Sequence, residues 1–99
     1  MKAPPSFPLA GAVLGDSFGR RMSWSRSQTS LTLKDAAQRI GLSESQLRRI
    51  ERGGVQMVSD PSTLVRAAAA YRVPQVWLYA GAIAGERFVP AGYAVQVAA

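Results

Sequence analysis

Residues 32–54, TLKDAAQRIGLSESQLRRIERGG, carry two complete sets of helix start and stop signals in one short segment. Thr32 is a good N-cap, and Leu33, Ala36, Ala37 and Ile40 recur at i, i+3, i+4 and i+7, one face of a helix. Gly41 ends that helix after two turns. Ser43 caps the next one, Gln46 three residues on completes a capping-box pattern, Leu47 and Ile50 face inward, and Gly53-Gly54 stop it. The small Ala37 lets the second helix cross closely over the first. Gly41 takes a backbone conformation that a side chain would resist, and Leu42, Leu47 and Ile50 fill the angle between the helices. Few arrangements are open to a chain with this segment at its centre.

The flanks read mainly as helix. From Asp16 to about Gln28, Phe18, Met22 and Ser25 recur at helical spacing, with Arg20, Arg21 and Arg26 on other faces. Residues 55–59 have the look of a loop. Asp60 caps a helix that starts on Pro61, where the missing N–H costs nothing, and runs through Tyr71 with Leu64, Val65, Ala67, Ala68 and Tyr71 inward. Val73-Pro74 restarts a short helix whose bulky residues are Val76, Trp77 and Tyr79; Trp77 and Tyr79 are expected in the core or a dimer contact. MKAPPSFP, with three prolines in eight residues, reads as an extended tail. Beyond Gly85 the pattern changes to Phe88-Val89 and Tyr93 to Val97 about Pro90-Ala91-Gly92, either two short strands around a turn or one strand after a loop. A two-stranded ribbon is marginal alone, so it should pack on the helices or pair with a second copy. Phe88, Val89, Tyr93, Val95 and Val97 are therefore the residues assigned to dimerisation, with covering the core an equally open role for Phe88 and Tyr93.

The expected fold is all-α: a five-helix domain over residues 14–84, with a flexible tail over 1–13 and a short C-terminal β-strand or hairpin extension over 85–99.

The chain of 99 residues has neither cysteine nor histidine, which removes thiolate nucleophiles, imidazole bases and the usual transition-metal ligands together. Its six carboxylates form no evident catalytic pair, so neither an enzyme nor a cofactor is expected. Twelve Lys and Arg against six Asp and Glu favour an acidic partner, above all nucleic acid. Eight of those twelve cations, but only three of the six acids, fall between Phe18 and Arg52. No apolar run is long enough for a membrane span and no secretion signal is read at the N-terminus, so a cytoplasmic, nucleoid-associated protein is expected.

A cap, two turns of helix, a glycine turn and a second helix make a helix-turn-helix, residues 32–53. With Leu47 and Ile50 inward, Glu44, Ser45, Arg48, Arg49 and Arg52 point away from the core, and such a helix can enter a major groove. Leu31 to Gly53, LTLKDAAQRIGLSESQLRRIERG, resembles the phage repressor and Cro type of helix-turn-helix without a gap. The likeness extends back to Phe18-Gly19 and Arg26 and forward through Asp60-Pro61-Ser62-Thr63-Leu64 to Val73-Pro74. Leu33 stands where many members have a phosphate-anchoring glutamine, Ser25 stands for a customary leucine with Trp24 beside it, and the loop after Gly53 is about two residues longer.

The resemblance implies a dimer that binds a palindromic double-stranded DNA operator, most often as a transcriptional repressor. It places Glu44, Ser45, Arg48 and Arg49 at base edges. Ser43, Gln46, Arg52, Gly53 and Gly54 fall near phosphate, and Lys34 and Arg39 are assigned to the backbone with them. Arg26 and Glu51 match a structural salt bridge between the first and third helices. Glu44 has two open roles, accepting from a cytosine amino group or offsetting the helix dipole at its N-terminal turn. The alternative function is a protein-interaction module, such as the DNA-binding antitoxin of a toxin-antitoxin pair, with a partner protein at the C-terminal segment.

Overall fold

The computed structural model describes residues 16–93. Among them are five α-helices, α1 (Phe18–Ser27), α2 (Leu33–Ile40), α3 (Glu44–Glu51), α4 (Pro61–Tyr71) and α5 (Gln75–Ala80). Two 3-10 helices follow, Gly81–Ala84 and Glu86–Phe88, and residues 91–93 are helical again. No helix of the described residues is long and apolar enough to cross a membrane.

Local chemistry sets the helix starts. Ser17 caps α1 by accepting from the Arg20 N–H, Thr32 caps α2 through the Asp35 N–H, and Asp60 caps α4 through the Ser62 N–H with Pro61 in the first turn. Each cap satisfies a backbone donor that the helix itself leaves open. The buried faces then meet in one core, in which Met22, Ile40, Leu47 and Trp77 are fully buried between Ala36, Ala37 and Ala67, whose small side chains let α2 and α4 approach. Val65, expected inward on α4, is half exposed; Thr63 takes an inward position instead.

Gly19 sets the distance between α1 and α3. A Cβ at this position would lie 2.3 Å from the Ile50 carbonyl oxygen and 3.2 Å from the Gly53 nitrogen, backbone atoms that cannot rotate away. Gly19→Ala is therefore expected to lower the unfolding free energy by about 1–3 kcal/mol, the ordinary cost of overpacking, as read by urea denaturation.

The C-terminal part of the described chain corrects the strand expectation. There is no strand among the described residues: Phe88 ends a 3-10 helix, Val89 lies in a bend, and Tyr93 in a helical turn whose N–H donates to the Pro90 carbonyl. Long-range packing of aromatic rings overrides the local strand signal at these positions. Tyr93 is 1% exposed and meets Trp77 and Trp24 edge to face, with ring centroids 5.0 and 5.4 Å away. Of the two roles open to Tyr93, core cover within its own chain is the one it takes, and the exchanged ribbon is not. Val95 and Val97 lie outside the described residues, as does the tail over 1–13.

A second correction concerns Arg21, which the helical spacing put on an outer face. It is 6% exposed, pairs with Asp16 at 2.9 Å, and donates from Nε to the Leu78 carbonyl and from a terminal nitrogen to the Tyr79 carbonyl. Its guanidinium thereby closes the C-terminal end of α5, where carbonyls lack helical partners. The Tyr93 hydroxyl donates to the other oxygen of Asp16. Gly81, at φ +66°, lies directly against this pair, where a Cβ would stand 2.3 Å from the Asp16 carboxylate.

Burial raises the phenols of Tyr71 and Tyr93 well above the ordinary tyrosine range, helped by the Glu51 carboxylate for Tyr71 and by the hydrogen bond to Asp16 for Tyr93. The folded chain therefore keeps both protons at pH values where the unfolded chain releases them, above about pH 10. Their contribution is fully present below that pH and is lost as pH rises. Chemical denaturation between pH 8 and 11 should show stability falling above pH 10, and Tyr71→Phe with Tyr93→Phe should flatten the fall.

Candidate nucleic-acid interface

The turn between α2 and α3 is built by Gly41, at φ +88°, in the left-handed region that favours glycine. Gly41 and Leu42 both donate their N–H to the Ala37 carbonyl, which ends α2 and turns the chain into α3. The start of α3 is then locked by a capping box. Ser43 Oγ accepts from the Gln46 N–H at 3.1 Å, while Gln46 Oε1 accepts from the Ser43 N–H at 2.8 Å. Gln46, assigned to phosphate, therefore has its side-chain oxygen committed to holding the helix start.

The end of α3 corrects another assignment. Gly53, at φ +86°, donates to the Ile50 carbonyl, and Gly54 donates to the Arg49 carbonyl, both at 3.0 Å. These two bonds make a Schellman turn and satisfy carbonyls the helix leaves open. The backbone N–H groups of Gly53 and Gly54, placed near phosphate by the resemblance, are consumed by the helix itself. They frame α3 and have no donor left for a ligand.

Between these ends α3 divides cleanly. Leu47 and Ile50 are buried, whereas Ser43, Glu44, Ser45, Arg48, Arg49 and Arg52 are exposed. Ser45, Arg48, Arg49, Arg52 and Gly54 together line one shallow depression, so three guanidinium groups border a single surface. Glu44 stands in the first turn of α3, where a carboxylate complements the positive end of the helix. Lys34 is exposed in the first turn of α2.

Arg39, exposed on α2, lines a groove with Gln28, Thr29, Leu31, Tyr71 and Arg72 that shares no residue with the depression on α3. Sequence spacing could not separate these positions, because the groove is closed by the far end of α4.

Arg26 and Glu51 form a two-pronged salt bridge: Nε to Oε2 at 2.7 Å and a terminal nitrogen to Oε1 at 2.9 Å. Arg26 also donates to the Leu31 carbonyl, so one side chain fixes α1, the turn before α2 and the last residue of α3. The hydrogen bond to Glu51 raises the Arg26 pKa further above its ordinary value. Two of the eight cations between Phe18 and Arg52 are thus spent on internal pairs, Arg21 with Asp16 and Arg26 with Glu51. The positive surface rests on the others. In the sequence Gly19 belongs only to the flanking likeness; its close approach to α3 has no local signal beyond the glycine itself.

A family model described as a helix-turn-helix domain matches residues 17–77, from the cap of α1 to the buried tryptophan of α5. No curated protein and no solved structure gave a significant match.

Proposed function

Since the chain belongs to the helix-turn-helix domain family, we propose that it is a sequence-specific DNA-binding regulator of transcription, without enzymatic activity, that acts as a dimeric repressor at a palindromic operator. The observation that carries this reading is the division of α3. One face is buried, both ends are locked by their own hydrogen bonds, and the exposed face gathers Ser45, Arg48, Arg49 and Arg52 around one depression.

In this reading α3 enters the major groove. Glu44, Ser45 and Arg48 meet base edges, since residues towards the N-terminal end of such a helix reach deepest. Arg48 suits bidentate contact to guanine. The Ser43 hydroxyl, Lys34 and Arg52 hold phosphate, and these contacts carry most of the affinity without reading sequence. A dimer would set two copies of α3 about 34 Å apart, one turn of duplex. Val76 and Tyr79 on α5 and Ile83 on the 3-10 helix after it are large apolar residues left exposed, Tyr79 by 57% and Ile83 by 87%, and we assign the dimer contact to them. The same exposed residues favour the second reading, an antitoxin-like module that binds a partner protein.

Selection of bound duplexes from a random pool, followed by salt titration on the selected sequence, tests the reading. The expected result is an enriched half-site repeated with two-fold symmetry and a steep fall of affinity with salt. Arg48→Ala should cost about 1–3 kcal/mol on the selected sequence and much less on random duplex. Absence of any enriched sequence, with protein partners captured at high salt, would favour the second reading.

A further inference from the structure

Glycine at position 54 is not explained by its backbone. Unlike Gly41 and Gly53 it has no positive φ, so any residue could adopt its conformation. What a larger residue would meet first is Arg49. A Cβ on Gly54 would lie 2.9 Å from Arg49 Cγ, 3.3 Å from its carbonyl oxygen and 3.5 Å from its Nε, so the arginine stem makes the closest approach to the space a side chain would take.

The Schellman turn folds Gly54 back over Arg49, and the arginine stem lies against it at the C-terminal end of α3, where the carbonyl dipoles favour a cation. We infer that Gly54 is a positioning residue. By lacking a Cβ it lets Arg49 lie along the C-terminal turn of α3 and hold its guanidinium for the phosphate backbone beside the groove, not for a base edge.

This rests on the DNA-binding reading above, and it moves Arg49 from the base edges, where the resemblance put it, to the backbone. Arg49 then completes a phosphate-holding rim with Arg52, its neighbour around the same depression. Arg48 is left as the base-reading arginine of α3.

The test is a double-mutant cycle of Gly54→Ala and Arg49→Ala, with binding to the selected duplex and to a random-sequence duplex measured across salt concentrations. Arg49→Ala should weaken both duplexes by the same factor and reduce the salt slope by about 1. Gly54→Ala should weaken binding in the parent chain and by a much smaller factor once Arg49 is alanine. Loss confined to the selected duplex for Arg49→Ala, or equal loss from Gly54→Ala in both backgrounds, would overturn the proposal. The Arg49 side-chain Nε–Hε resonance, recorded without DNA, should shift in Gly54→Ala; an unmoved resonance also overturns it. Should the parent chain bind neither duplex, the DNA-binding reading fails and the phosphate role of Arg49 with it, while the resonance still decides whether Gly54 sets the path of Arg49.

Discussion

Arg21→Met should lower the unfolding free energy by about 3–5 kcal/mol, the usual cost of removing one partner from a buried ion pair. The size follows from what the substitution strands. Asp16, its side chain 9% exposed, would lose its cationic partner, and among the described residues the Tyr93 hydroxyl alone would still donate to it. The Leu78 and Tyr79 carbonyls at the end of α5 would lose their donor as well. Urea denaturation reads the loss. Near-ultraviolet circular dichroism should report it locally, because Tyr93 packs against Trp24 and Trp77. Adding Asp16→Asn to Arg21→Met should recover a large part of the stability, since no buried charge then remains unpaired. A single-variant loss below 1 kcal/mol would mean that Arg21 is solvated and not part of the core.

Arg26→Ala is expected to cost about as much, 3–5 kcal/mol, for a related reason: Glu51, with its side chain 10% exposed, would lose both of its hydrogen bonds. The functional consequence should differ. Arg21 holds α1 to α5, whereas Arg26 holds α1 to the last residue of α3. At temperatures where both variants remain folded, Arg26→Ala should weaken operator binding beyond what its lost stability explains, and Arg21→Met should not. Binding measured well below each variant's melting temperature separates the two. Equal effects on DNA binding would show that the α1–α3 bridge has no special part in placing the recognition helix.

These two arginines show what was legible in the sequence. Arg26 could be paired with Glu51 because the resemblance carried the pair over in register. Periodicity alone gave no sign of it, since 25 residues separate the partners. Arg21 had no such guide, and its carbonyl partners lie 57 and 58 residues on. A charged residue between Arg20 and Met22 looks solvated until α5 folds back over it. Helix starts were readable because each cap bonds within three residues: Thr32 to Asp35, Ser43 to Gln46, Asp60 to Ser62. The turn at Gly41 was readable for the same reason.

Tyr93 failed the other way. The apolar runs on either side of Pro90-Ala91-Gly92 are a local signal for strands, but the Tyr93 ring is buried against residues from α1 and α5. At the candidate site, the exposed face of α3 could be read from the positions of Leu47 and Ile50. The loss of Gly53 and Gly54 as phosphate donors could not, because composition does not say which carbonyl a glycine N–H will serve.

The locked ends of α3 also bear on how such a protein could be reprogrammed. Of the residues from Glu44 to Glu51, Gln46 closes the capping box, Leu47 and Ile50 fill the core, Glu51 holds Arg26, and Arg49 lies on Gly54. Positions 44, 45 and 48 make none of these contacts, and Glu44 serves the fold only by complementing the helix dipole. A combinatorial library randomised at those three sites, with the rest of the helix fixed, should yield folded variants throughout and new operator preferences among them. A library that also varied 46 or 51 would spend most of its members on proteins that misplace the helix before they meet any DNA.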